Sequence, residues 1–363
     1  MENTTSTDGT GWPTLSTQET FRAYRSYGER QLFAAMYITA AIMGVLGNTF
    51  VILAVVLSKR LRTVTNVFVV NLSVSDLISS IFLPWESVAI LSLDGWPLPQ
   101  AYWICVTTSA ILHVSYGCSI NNLALIAVNR WIGITKSGST ARRIYTRRNI
   151  ACMVIFSWAF PLVIISIALL TDYGEHGYEP VYSACGWVKA NPYTTLLAVI
   201  FSVCFFPIQL CVIICCYFSI YRYVLKTSRR MTAYDAPTVS GSIGGSNRAK
   251  QQSQWKRKIA VTKNLAYIVL AYVICQCPYF LAVTQQGYEW GMRLTMYSIA
   301  ILYCNIWINP VIYATSHPHF KEAFSAMVGC KWQNISRSRA HSQRTVSTST
   351  STRQNGREVT PVE

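Results

Sequence analysis

Residues 67–91 run VFVVNLSVSDLISSIFLPWESVAIL, a mostly apolar stretch in which Asn71, Asp76 and Glu86 are embedded. About 20 such residues cross a ~30 Å hydrocarbon core as a helix. Asn71 and Asp76 are costly against lipid, so they must point into a bundle of further helices. Six more stretches of this kind flank it: Leu32–Leu57, Ala101–Ile134, Ile150–Leu170, Tyr193–Leu225, Lys258–Thr284 and Leu294–Thr315. The third carries Ser119, Asn121 and Asn122, which need the same interior. The expectation is an all-α protein, a bundle of seven transmembrane helices.

Composition agrees. The 363 residues are 52% hydrophobic and only 13% charged, against about 25% charged in soluble domains. Little charge with 13% aromatics excludes a disordered chain. Twelve cysteines are too sparse for a disulfide scaffold. The net charge of +16 lies between the apolar blocks. With the N-terminus outside, all Lys and Arg except Arg22, Arg25, Arg30, Lys189 and Arg293 fall on the cytoplasmic side, as the positive-inside rule requires. Topology therefore accounts for the basicity, and no nucleic-acid partner is needed.

Four parts follow: an extracellular tail over 1–31, the bundle over 32–315, a juxtamembrane helix over 316–330 and a disordered cytoplasmic tail over 331–363. Residues 1–30 lack a basic start followed by an apolar core, so the first span itself is the anchor. Asn3-Thr4-Thr5 is a glycosylation acceptor in this orientation. Arg229–Ser253 is Ser/Gly-rich and scattered with bases, a flexible connector. Phe320, Phe324 and Val328 share one face of a short helix suited to the membrane surface. Cys330 after it is either a palmitoylation site or a free thiol.

One landmark recurs in nearly every span. They are Gly47-Asn48, Leu72-Ser73-Val74-Ser75-Asp76-Leu77, Cys105, Asn129-Arg130-Trp131, Trp158, Cys275-Gln276-Cys277-Pro278 and Asn309-Pro310-Val311-Ile312-Tyr313. In this order and spacing the sequence resembles the rhodopsin-like family of G-protein-coupled receptors over about Leu32–Cys330. The Asn-Arg-aromatic triplet is reminiscent of melatonin receptors and of Moody-like invertebrate orphans, although Gln276 and Pro310 depart from the melatonin pattern. The resemblance implies a plasma-membrane receptor for a small molecule or peptide. It implies coupling to heterotrimeric G proteins, with Gi/o as the subfamily guess. It implies no enzymatic activity and no cofactor, with receptor kinases and arrestin as partners of the Ser/Thr-rich tail.

The same resemblance assigns roles. Asp76, Ser119, Asn305, Asn309 and Asn48 correspond to a sodium pocket; a protonated Asp76 in a hydrogen-bonded network is the alternative. Cys105 and Cys185 both face the oxidising side and pair as a disulfide that pins a loop over the bundle mouth. Arg130 is the inner-face residue that meets the partner protein. Asn129 replaces the acid that restrains this arginine in relatives, and Lys258 stands where some carry a second acid. Basal signalling is then raised, unless other hydrogen bonds compensate. Pro278, Pro310 and Tyr313 belong to the activation machinery, as does Trp131. Gln276 stands where relatives carry a switching tryptophan.

The ligand must be read from the outer half of the bundle. Tyr303 occupies the place of the retinal-binding lysine of opsins, and Leu112 that of the amine-binding aspartate, so neither chemistry is expected. Glu86 lies ten residues beyond Asp76, about three turns nearer the outer surface. It anchors a cationic ligand group or a basic peptide side chain, or else it pairs with Arg293 or meets water at the pocket mouth. His113, Tyr116, Gln285, Tyr297 and Tyr303 are further candidate contacts. A transporter is the competing reading, but no internal repeat or set of midplane charges favours it. No nucleophile–base pair and no metal set beyond sodium suggests an enzyme.

Overall fold

The computed structural model describes residues 22–234, 270–285 and 287–329, excepting the side chains of 230–234. Asn3, Lys258, Cys330, most of the Arg229–Ser253 connector and the tail after 330 lie outside the described residues.

Helix α1 covers Tyr27–Leu57. It starts five residues before the apolar block, because Ser26 caps it by accepting from the Glu29 backbone N–H at 3.2 Å. The tail expected over 1–31 is therefore shortened by a helical start. The second span divides at Pro84 into α2, Val64–Phe82, and α3, Pro84–Leu91. Proline lacks a backbone donor and is favoured at a first helical position, so it breaks one helix and begins the next. Then follow α4, Tyr102–Thr135, α5, Gly138–Ile144, and α6, Arg147–Leu170. Strands β1, His176–Glu179, and β2, Ala184–Trp187, form an antiparallel hairpin in the loop after α6. The fifth span is likewise split, by Pro207, into α7, Thr194–Phe205, and α8, Pro207–Tyr234. Next come α9, Leu270–Thr284, α10, Glu289–Ser316, and α11, Pro318–Val328.

Among the described residues six helical segments are long and apolar enough to cross a membrane, and α9 is a shorter apolar helix. Helix α4 is the central post, packed against α2, α6 and α8, while α1 lies against α2, α3 and α10. Glycine permits the closest approaches. A Cβ at Gly117 would stand 2.6 Å from Pro161 Cβ, and one at Gly47 would stand 2.8 Å from Pro310 Cβ. Polar stitches cross the same interfaces. The Asn71 amide donates to Asn122 Oδ1 at 2.9 Å and to Ser157 Oγ at 3.0 Å, and Trp158 Nε1 donates to Asn71 Oδ1 at 2.9 Å. Such bonds satisfy groups that lipid cannot.

One expected face is corrected. Helix α11 buries Phe320, Ala323 and Met327, whereas Val328 is 75% exposed. Val328 is the last helical residue, and Met327 takes the inward position beside Phe324.

Candidate functional site

The hairpin closes one end of the bundle. Cys105 opens α4 and is bonded to Cys185 in β2, with Cα atoms 5.2 Å apart. Residues before α1 close the same end. The Ala23 backbone N–H donates to Val181 O at 2.9 Å, Arg293 Nη1 donates to Ala23 O at 3.2 Å, and Arg22 Nη1 donates to Leu93 O at 2.5 Å. Buried Arg30 donates to Ser92 O at 2.8 Å, so this cation serves the end of α3.

Beneath this cover lies a cavity of about 340 Å³. Glu86, on the first turn of α3, faces it and is 2% exposed. Its Oε2 accepts the Cys185 backbone N–H at 3.1 Å, while Oε1 is buried without a partner. The alternative pairing with Arg293 is not what is found, because that guanidinium reaches Ala23 instead. Tyr24, Tyr37, Tyr182 and Trp187 add an aromatic wall, and Lys189 lies on the hairpin side. Lys189 Nζ donates to the Tyr182 hydroxyl at 3.1 Å; burial lowers its pKa, and nearby Glu179 acts the other way. Apart from Tyr37 of α1 these are loop and tail residues, and none of them was singled out in the sequence. The available signal was their closeness to Cys185, whose disulfide brings neighbouring loop residues over the mouth.

Deeper in the bundle a narrower cavity of about 70 Å³ is lined by Asp76, Leu112, Tyr116, Ser119, Gln276 and Asn305, among others. The two cavities share His113, Ser202, Tyr279, Leu302 and Tyr303 as walls. Of the candidate ligand contacts, Glu86, Leu112, His113, Tyr116 and Tyr303 therefore come together. Gln285 and Tyr297 do not line either cavity. Tyr297 is 45% exposed and donates to Glu29 on the lip, and Gln285 lies in the turn that follows α9.

At the far side of this narrow cavity, Asp76 accepts from Ser119 Oγ at 2.7 Å and from Asn309 Nδ2 at 3.2 Å. Oδ1 of Asn309 and Oδ1 of Asn48 are buried without partners. The Asn48 amide instead donates to the carbonyls of Gly44 and Ile306, each at 2.9 Å, and Asn305 lines the cavity. Asp76, Ser119 and Asn305 line this cavity with oxygen atoms, the donor type that a hard cation takes, whereas Asn48 and Asn309 are not among its lining residues.

At the opposite end of α4, Arg130 Nε is buried with no partner. Tyr217 and Tyr313 are its ionisable neighbours. The neighbouring Asn129 accepts from the Thr65 hydroxyl at 2.5 Å. Trp131 is covered by Lys136, whose Nζ stands 5.3 Å from the ring centroid. Pro278 lies within α9 and Pro310 within α10. The Tyr313 hydroxyl is buried without a partner.

Known proteins share the family pattern and the fold. Residues 47–313 match the model of the 7 transmembrane receptor (rhodopsin family). The human alpha-1D adrenergic receptor is 28% identical over 85% of this chain and 57% of its own length. The mouse melatonin receptor type 1A is 28% identical over 81% of this chain and 79% of its own length. The Drosophila melanogaster G-protein coupled receptor moody is 24% identical over 82% of this chain and 51% of its own length. The chain thus spans little more than half the length of the adrenergic relatives. Squid rhodopsin shares the fold, with a TM-score of 0.73 and 20% identity over 93% of this chain and 97% of that one. The chain is a multi-pass membrane protein and belongs to the rhodopsin family of seven-transmembrane receptors.

Proposed function

We propose that this receptor sits in the plasma membrane with its N-terminus outside, binds a cationic ligand in the covered cavity, and activates a heterotrimeric G protein at the Arg130 end. One observation carries the ligand class: Glu86 is a buried carboxylate with one oxygen unpaired, facing a cavity walled by aromatic rings. Burying a carboxylate without a cation is costly, and an incoming ammonium or guanidinium supplies the missing partner. Tyr24, Tyr37 and Trp187 line the same cavity, and aromatic rings suit a positive charge. A positive group on a small molecule or a basic peptide side chain has this chemistry. The adrenergic and melatonin relatives are named for small molecules, which agrees with a small ligand and leaves the cationic class resting on Glu86.

Asp76, Ser119 and Asn309 would hold sodium, and that ion would supply positive charge against the buried carboxylate. Gi/o coupling, phosphorylation of the Ser/Thr-rich tail by receptor kinases and subsequent arrestin binding complete the reading. A screen of cationic compounds against cells expressing the full chain, reading several G-protein pathways, tests it. The expected result is an agonist that loses at least tenfold in potency in Glu86→Gln at equal surface expression. Unchanged potency in that variant would remove Glu86 as the anchor.

A further inference from the structure

Gln276 lies near the middle of the apolar α9 and is 1% exposed. Its Oε1 accepts from the Tyr116 hydroxyl at 2.6 Å, which ties α9 to α4. Its Nε2 is buried and has no partner, and Gln276 is one of the residues that line the narrow cavity. The wall around it is largely apolar, with Leu112, Phe201, Phe206 and Phe280 contributing. Within this apolar wall, an amide nitrogen without an acceptor is a group that the fold leaves unsatisfied. The cavity before it has room for one small substituent, and it shares five wall residues with the larger cavity that holds Glu86.

We infer that Gln276 is a second recognition point in the ligand site, donating a hydrogen bond from Nε2 to an uncharged acceptor oxygen on the inner end of the ligand. The inference rests on the reading above in that the ligand's other end carries the cation met by Glu86. The ligand class is thereby narrowed to an elongated molecule with a cation at one end, an apolar middle and an ether, carbonyl or hydroxyl oxygen at the other. Tyr116 is the positioning residue. By holding Oε1 it fixes the carboxamide plane and leaves Nε2 as the amide's free donor. A site that presents an unpaired donor discriminates strongly against analogues that lack the acceptor.

The test uses purified full-length receptor in detergent and three probes, with thermal unfolding as the readout of binding. Para-methoxyphenylbutylamine carries both features, para-ethylphenylbutylamine replaces the ether oxygen by a methylene, and para-methoxyphenylbutanol lacks the cation. The methoxy amine is expected to stabilise at about fivefold lower concentration than the ethyl amine. That advantage should vanish in Gln276→Leu and in Gln276→Met, while the ethyl amine still stabilises both variants. Its retention shows that they are folded, and either variant alone suffices. Equal potency of the two amines on the natural chain would overturn the inference, and so would an advantage that persists in the variants. If the methoxy alcohol matches the methoxy amine and both depend on Gln276, the floor contact stands and the Glu86 reading falls. If none of the three stabilises up to about 1 mM, a Kd regime ordinary for fragments, both are overturned.

Discussion

The Thr65 hydroxyl donates to Oδ1 of Asn129 at 2.5 Å, so the residue beside Arg130 is held by the second span and not by the arginine. An aspartate in its place is drawn by charge toward the guanidinium next to it in sequence, and turning to meet it gives up the Thr65 bond. Asn129→Asp should therefore stabilise the closed inner face by about 1 kcal/mol, or about fivefold in the ratio of states. Ligand-free signalling per receptor at the cell surface measures this. Unchanged basal signalling would mean that Asn129 has no part in restraining Arg130.

Gly117 tests the packing of the central post. Adding a methyl would place it 2.6 Å from Pro161 Cβ, a ring atom that cannot swing aside. Gly117→Ala should cost about 1–3 kcal/mol by overpacking, seen as a lower unfolding temperature in detergent. Gly133→Ala is the control, because nothing stands within 4 Å of its added Cβ, and it should leave that temperature unchanged or slightly raised.

The disulfide serves two purposes at once. It closes a loop with a sequence separation of 80, and it places the Cys185 backbone N–H on Glu86. Cys105→Ser together with Cys185→Ser should lower stability by about 3 kcal/mol. It should also weaken binding of cationic probes beyond what the stability loss explains. Normal probe affinity in the folded fraction would show that the N–H contact does not orient the carboxylate.

His176 predicts a pH dependence. It is buried in β1, its Nδ1 lies 2.6 Å from Ser109 Oγ, and its ring packs on Trp187 with centroids 4.1 Å apart. Burial, reinforced by repulsion from His113, pushes its pKa down to about 2. In the unfolded chain this group takes up a proton near pH 6.5. Stability from the neutral ring is therefore present above about pH 6.5 and is lost as pH falls below it, by about 1.4 kcal/mol per pH unit at most. Unfolding temperatures between pH 7 and 5 should fall less steeply in His176→Gln than in the natural chain. Parallel pH profiles would exclude this histidine.

The spans and their landmarks were legible because lipid imposes two demands that sequence displays directly, a run of apolar residues and a few polar groups that must find one another. Asp76, Ser119 and Asn309 meet as their positions suggested. Helix ends were less legible. Ser26 caps α1 outside the apolar block, and Pro84 and Pro207 each divide what hydropathy shows as one run. Spacing along a helix also gave depth without azimuth. Tyr303 and Tyr297 lie on the same helix, yet one faces the cavity and the other meets Glu29 on the lip. The aromatic wall from Tyr24, Tyr182 and Trp187 depends on how a loop and a tail drape, which no periodicity records.

Ala23 and Tyr24 precede every span, yet one is stapled to the hairpin turn and the other is masonry of the chamber. Trimming the receptor back to Tyr27 would spare all the membrane-crossing rods and still breach the chamber proposed for the messenger. If that chamber is the lock, the leading stretch is a piece of it, and a cut or a bulky graft there becomes a pharmacological change.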